Sequence, residues 1–306
     1  MAQPFLRFEN GKISLNNKDL MVNSANLSIA PSLTVEKVYG DYDASIAGAR
    51  TEFVNFAPTS NLKGQLNISF YISSDVVSPN SVDRLFELID VANPDNSKKT
   101  ISEAPINGNI VGRYIFDNMY LTSFSFSLSP FQLIVANATY DIYGTIGKVT
   151  DRYFTKSNVD FAHAMKSFGE VKISNQQSSE EFEIQDLNYN INVERKTSNR
   201  IRYNESAATN VSAGGVVPAR VSVESITSEV SIKSNDMVEN LNSYGDQQNL
   251  STPQNIPDSS VDVYLYGLNG ERISRFRCAG KIQNQSFSIQ EGSNASSSIT
   301  IKQVIK

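Results

Sequence analysis

The chain has one cysteine, one histidine and no tryptophan among its 306 residues. Cys278, standing alone, can form neither an intramolecular disulfide nor a cysteine-based zinc site. His163, also alone, excludes His-rich metal sites and two-histidine mechanisms. Basic residues do not dominate either: 27 Lys and Arg stand against 32 Asp and Glu, a net charge of −5 spread along the chain. Tight nucleic-acid binding needs a concentrated basic face, so this balance argues against it. The longest apolar stretch, Phe131–Ala138, is far short of the ~20 helical residues that cross a bilayer. The start, MAQPFLRFENG, lacks the basic and apolar regions of a signal peptide. These features lead us to expect a soluble protein made in a cytoplasm, with no membrane partner.

Catalytic motifs are missing as well. There is no G-x-x-x-x-G-K-[ST] phosphate loop, no G-x-G-x-x-G dinucleotide turn and no G-x-S-x-G elbow. A Ser-His-Asp triad would have to use His163. Two acidic clusters remain, Asp41 with Asp43 and Glu180 with Glu181 and Glu183. An Asp-x-Asp loop can offer oxygens to calcium, but the further carboxylates and closing Glu of a calcium loop do not follow. The glutamates alternate with Phe182 and Ile184, as on the wet face of a strand. Asn-x-Ser/Thr recurs at Asn26, Asn67, Asn137, Asn204, Asn210, Asn249, Asn284 and Asn294, which reflects an Asn- and Ser-rich composition; without a secretory signal these are not glycan sites. The expectation is a non-enzyme with no catalytic residue, cofactor or metal.

What the chain does have is alternation. Tyr120–Ser129 reads YLTSFSFSLS, with Phe124, Phe126 and Leu128 separated by serines, the period of a strand buried on one face. Lys281–Gln290, KIQNQSFSIQ, is a weaker copy with Phe287-Ser288-Ile289 in place of Phe126-Ser127-Leu128. The spacing between the copies suggests one domain used twice. Each half, at ~150 residues, can bury roughly 70% of its unfolded surface and so needs no disulfide or metal.

In the first half, Lys12–Leu15 reads as a short strand and Leu20 to Ile29 as a longer one. Gly40–Ser60 reads as a long mobile loop. Leu66, Ile68, Phe70 and Ile72 mark a half-buried strand. Ser81 caps an expected helix whose Val82, Leu85, Phe86 and Ile89 share a face. A turn at Asn107-Gly108 leads to a strand over Ile110–Phe116, and Pro130 marks a corner before Gln132–Tyr143. Gly144–Phe168 reads as a connection containing a short helix with Phe161, Met165 and Phe168 on one face.

The second half repeats the order. Lys172-Ile173-Ser174 matches Lys12-Ile13-Ser14, and Phe182, Ile184, Leu187, Asn188 and Ile191 match Leu20, Val22, Ala25, Asn26 and Ile29. Thr197–Gly215 stands where the first loop stood, and Ile226, Val230 and Ile232 match Leu66, Phe70 and Ile72. A shorter helix carries Val238 and Leu241. Strands at Val261–Tyr266 and Ile273–Cys278 flank a turn at Asn269-Gly270, and Ile299–Ile301 ends the sheet. The expected architecture is mainly β: two tandem antiparallel β-sandwich or barrel domains (1–145 and 169–306), each with one packed α-helix, joined by a connector over 146–168.

This order of elements in an Asn/Ser-rich β-sandwich resembles the tail tube proteins of bacteriophages and the inner tubes of contractile injection systems. The resemblance is one of element order and composition across both halves. It implies a structural virion protein of the phage tail, made in the host cytoplasm, whose sheets join edge to edge into rings that stack into a tube. The partners it implies are further copies of the chain and tail proteins such as sheath, hub or terminator, with genomic DNA passing through unbound during ejection. Rings of this family hold six such domains, so two per chain implies a trimer with pseudo-sixfold symmetry. Leu62–Ser73 with Val217–Lys233, or Tyr120–Ser129 with Lys281–Gln290, would line or back the wall, and Gly40–Ser60 and Thr197–Gly215 would be stacking loops. Two alternatives stand beside it: a trimeric hub or tube initiator of the baseplate, and a two-domain β-sandwich adhesin or carbohydrate-binding protein.

Overall fold

The computed structural model describes residues 12–15, 18–30, 33–39, 52–58, 63–73, 106–110, 114–144, 146–148, 161–173, 184–202, 215–234, 258–289, 291 and 295–304. Among them the regular structure is strand, and no helix occurs. The strands are β1 (Lys12–Leu15), β2 (Lys18–Ala30), β3 (Leu33–Tyr39), β4 (Glu52–Pro58), β5 (Lys63–Tyr71), β6 (Ile106–Ile110), β7 (Tyr114–Leu128) and β8 (Val135–Ile142). They continue with β9 (Ile146–Lys148), β10 (Phe168–Ile173), β11 (Ile184–Arg202), β12 (Gly215–Ser234), β13 (Asp258–Tyr266), β14 (Arg272–Ser288) and β15 (Ser296–Val304). Every ladder is antiparallel, and thirteen of the strands form one sheet while β3 and β4 pair separately.

Strand β7 explains why the sheet is so extensive. At Met119 it pairs with Ile106 of β6 on one side and Ile142 of β8 on the other. Nearer its start, Phe116 lies between Gly108 of β6 and Ile146 of β9. Nearer its end, Phe124 and Phe126 lie between β8 and β11. One side thus carries β6 and then β11, the other β9 and then β8. The ladders β7–β6, β6–β1, β1–β2, β2–β5, β5–β8 and β8–β7 close on themselves, so these six strands form a barrel. From β7 the sheet continues through β11, β12, β15, β14 and β13 to β10.

Alternation determines which face is buried. Leu66, Ile68 and Phe70 of β5 are buried and their odd-numbered neighbours are not, and the same holds for Phe124, Phe126 and Leu128 in β7. Leu187, Tyr189 and Ile191 of β11 continue the apolar row directly opposite Leu128, Phe126 and Phe124. The core is therefore one cluster running through both halves of the chain. At its centre the Phe126 ring lies 5.3 Å from Tyr189 and 4.9 Å from Phe276, in stacked and tilted geometries.

Six ladders contain register shifts, four of them among strands β2, β5, β7, β8, β11, β12, β14 and β15. The β7–β8 register shifts between Leu121 and Ser123, and the β14–β15 register between Ile282 and Asn284. The β2–β5 register shifts between Val22 and Ser24, and the β11–β12 register between Ile184 and Asp186. A bulge adds an unpaired residue and increases local twist, which lets long strands bend around a core.

Several local expectations are corrected. Gly40–Ser60 is not loop throughout, because Glu52–Pro58 pairs residue for residue with Leu33–Tyr39. Thr197–Arg202 is likewise strand, paired with Gly215–Val221. Asn107-Gly108 does not turn: Gly108 lies inside β6, opposite both Leu15 and Phe116. Ile110 and Tyr114–Phe116 therefore belong to two strands that pair with each other. Phe287 and Ser288 do not form a separate strand but are the far end of the 17-residue β14, and Ile289 follows it.

Phe161–Phe168 forms no helix. Neighbouring strands take its backbone groups: Ala162 N donates to Ile72 O, Ile134 N to Ala162 O and His163 N to Tyr266 O. An i→i+4 helical ladder cannot form once those groups are used, and a single turn from His163 to Ser167 remains. The expected helices at Ser81–Ile89 and around Val238–Leu241 lie outside the described residues.

The Phe126 cluster yields a direct test. Phe126→Ala should destabilise the protein by about 3–5 kcal/mol, the usual cost of truncating a buried phenylalanine. Urea unfolding followed by circular dichroism checks this; a loss under ~1 kcal/mol would show that the aromatic cluster does not hold the two halves together.

Candidate functional site

The residues singled out as chemical candidates do not converge on a site. Asp41, Asp43, Glu180, Glu181 and Glu183 lie outside the described residues. His163 is half-buried in the segment that bridges Leu133. Its Nδ1 accepts a bond from Met165 N at 3.2 Å, and its carbonyl accepts from Ser167 Oγ at 2.9 Å. It shapes a turn. Among the described residues no group of three or more His, Cys, Asp or Glu could hold a metal ion, and no helix is long and apolar enough to cross a membrane.

Several other buried polar groups have structural partners. Asp262 is buried and held by Arg275, whose Nε and terminal nitrogen lie 3.2 and 3.0 Å from its two oxygens. Arg275 also lies over the Tyr264 ring at 5.0 Å. Asp141 is buried and receives Lys63 Nζ at 2.6 Å. Beside it, burial foremost and the Asp141 charge next push the Tyr143 phenol up to about 12. Burial pushes the Cys278 thiol from 9.0 up to about 11, so little of it is the nucleophilic thiolate near neutrality. Burial alone raises Tyr140 well above its ordinary range. None of these groups faces a substrate-sized cleft lined with converging polar atoms, the usual mark of an active site.

The distinctive surface is the polar face of the sheet. From one side to the other, β2, β5, β8, β7, β11, β12, β15 and β14 pair in unbroken succession. Directly opposed residues on their outer face form polar rows. Asn26 faces Asn67, which faces Thr139, then Ser123 and Asn192. A second row runs from Ser24 through Ser69, Asn137 and Ser125 to Asn190. Further along, Asn188 faces Ser231, Ser231 faces Thr300 and Thr300 faces Asn284. Short side chains link some of these: Ser231 Oγ lies 3.0 Å from Thr300 Oγ1, and Ser286 Oγ lies 2.7 Å from Ser298 Oγ.

Charges on this face come largely in compensating pairs. Asp186 stands opposite Lys233, Glu229 opposite Lys302, and Lys63 meets Asp141. Opposite charges facing each other across strands cancel at distances beyond about the ~8–10 Å Debye length. The face is hydrophilic and carries charges of both signs.

The two ends of this eight-stranded run differ from its interior. β2 pairs with β1 only through Lys18–Met21, and no described strand lies along that side from Ser24 to Ile29. β14 pairs with β13 only as far as Lys281, and no described strand lies along that side at Ser286, Phe287 and Ser288. Exposed strand edges are templates for pairing with another chain. Sequence reasoning pointed to the polar alternation but missed the charge pairing and the location of the edges, because both depend on cross-strand register.

No protein-family model matches the chain, and no curated protein matches it. What it does must therefore be argued from its own geometry.

The buried thiol makes a prediction. Iodoacetamide should leave Cys278 unmodified in the folded protein at pH 8 and alkylate it fully in denaturant, as mass spectrometry would show. A raised acid pKa means the folded state holds its proton more tightly, so the stability it brings is intact below pH 9.0 and is lost as pH rises through about 11. Cys278→Ala should flatten the fall of urea stability over that window; an unchanged slope would assign the fall to other groups.

Proposed function

We propose that this chain is a structural subunit of a bacteriophage tail, assembling edge to edge into rings whose inner wall is the polar sheet face and which stack into a tube for DNA. One observation carries the reading: an eight-stranded antiparallel wall with a neutral Asn/Ser/Thr face and a strand edge at each end. An adhesin would need a ligand site at one end of its sandwich. A tube wall needs continuity, edges and a surface without grip.

The number of copies follows from a second proposal, that the chain is an internal duplication. The ladders β13–β10, β13–β14, β14–β15, β15–β12 and β12–β11 match β6–β1, β6–β7, β7–β8, β8–β5 and β5–β2 in order. Two pairs of bulges fall at matching places: Leu121/Ser123 in β7 with Ile282/Asn284 in β14, and Val22/Ser24 in β2 with Ile184/Asp186 in β11. Bulges are specific features of a fold, so their agreement supports the duplication more strongly than shared apolar residues do. Each half contributes four strands to the wall, and three chains would close a ring with pseudo-sixfold symmetry.

In this reading the protein is not an enzyme; its mechanism is self-assembly, with closure removing the free edges. Its place is the virion tail, after synthesis in the host cytoplasm, with sheath, hub and terminator proteins as further partners. A tube protein and a trimeric hub share the ring, and stacking separates them.

Negative-stain electron microscopy and native mass spectrometry of the purified protein test the proposal. Rings of three chains are expected, stacking into tubes as concentration rises. A protein that stays monomeric, or a ring of six full chains, would overturn the reading, while trimers that never stack would favour the hub. The assembled ring should also leave duplex DNA unretarded in a gel at physiological salt.

A further inference from the structure

The junction inside the chain is a template for the junction between chains. It consists of β7 and β11, paired with Phe126 opposite Tyr189, Ser127 opposite Asn188 and Leu128 opposite Leu187. Counting from the matched bulges, Phe287 and Ser288 of β14 and Ile289 directly after it occupy the positions that Phe126, Ser127 and Leu128 occupy in β7. On the other partner, Ala25, Asn26 and Leu27 of β2 occupy the positions of Leu187, Asn188 and Tyr189 in β11. From this we infer that β14 of one copy pairs antiparallel with β2 of the next, with Phe287 opposite Leu27, Ser288 opposite Asn26 and Ile289 opposite Ala25.

Exposure supports this assignment from both sides. Phe126 and Leu128, covered by β11, are 2% and 7% exposed, whereas Phe287 and Ile289 are 52% and 71% exposed. Ile191 is fully buried against β7, while Ile29, its counterpart on β2, is 50% exposed. Two edges of one chain thus present apolar side chains at the same register positions where the internal junction buries them. A large apolar side chain left in water on a strand edge is a liability unless a partner covers it, and each of these edges is complementary to the other. The contact is head-to-tail, so repeating it closes a ring or builds a helix according to its rotation. The internal junction applies that same step once within every chain, so closure requires the two junctions to be alike.

The polar pair at this register permits a chemical test. Opposed residues on antiparallel strands bring Cβ atoms to about 4.5–5.5 Å, near the span a disulfide bridges. The native Cys278 is buried and will not interfere. The double variant Asn26→Cys/Ser288→Cys should, on mild oxidation, give covalent dimers and trimers on denaturing gels and no longer species. Either single variant should stay monomeric on the gel. The shifted pair Asn26→Cys/Ser286→Cys should link at least about tenfold less, since diagonal neighbours lie roughly 7–8 Å apart. In parallel, Phe287→Glu should leave the melting temperature of the isolated chain unchanged and abolish assembly.

The inference rests on the ring-forming reading, and the outcomes separate the two. If rings form but the Asn26/Ser288 pair does not link, or the shifted pair links better, this edge assignment is overturned and the ring remains. If the unmodified protein forms no rings under any condition, the ring reading fails and the edge assignment fails with it.

Discussion

The structure depends on the capacity of one strand, β7, to pair with two different strands in succession along each of its sides. Its first half pairs with β6 and β9, and its second half pairs with β8, which closes the barrel, and with β11, which joins that barrel to the rest of the chain. Removing any of these partners would leave a row of buried backbone donors and acceptors, which is costly wherever water cannot replace the strand. The bulge at Leu121/Ser123 lets the strand turn between these two jobs without breaking the alternation on either side. Hence Phe124, Phe126 and Leu128 can face the core beside Tyr189 and Phe276 while Ser123, Ser125 and Ser127 remain in the polar face.

Much of this was legible in the sequence, for a physical reason: a strand buried on one face must alternate. Leu66 to Phe70, Phe124 to Leu128, and the hairpin around Gly270, whose φ of +82 suits glycine, were all readable from local pattern. What was misread depends on distant partners. Glu52–Pro58 alternates poorly and was assigned to a loop, yet it is strand because Leu33–Tyr39 lies beside it. Phe161, Met165 and Phe168 are spaced as on a helix, but three neighbouring segments take the backbone of Ala162 and His163 first. Asn107-Gly108 is typical of a tight turn, yet Gly108 lies between two strands.

The candidate surface was less legible than the core. Serine and asparagine at alternate positions announced a wet face, but whether that face was continuous could be known only from pairing. Register changed the alignment of the halves as well. Under the proposed duplication, the ladders set Val230 and Ile232 at the level of Leu66 and Ile68, not of Phe70 and Ile72, because Tyr140 and Ala138 face Leu66 and Ile68 as Ile301 and Ile299 face Val230 and Ile232. Bulges, which leave almost no trace in composition, turned out to be the firmest markers of correspondence.

The tube proposed above would also account for a polar face rich in Ser, Thr and Asn. A lumen of one sign would either hold DNA, with affinity growing with each phosphate neutralised, or repel it and raise the cost of passage. Short neutral side chains avoid both, and those that hydrogen-bond laterally, as Ser231 does with Thr300, keep a hydrated surface without long arms reaching into the space. Some of the charges present face opposite charges across the ladder, as Asp186 faces Lys233 and Glu229 faces Lys302. In the proposed tube, such a wall would act on its cargo by exerting little force on it. Its cohesion therefore has to come from elsewhere, from backbone pairing along the strands and from apolar rows on the opposite face, and those are the properties that the edges of β2 and β14 present outward.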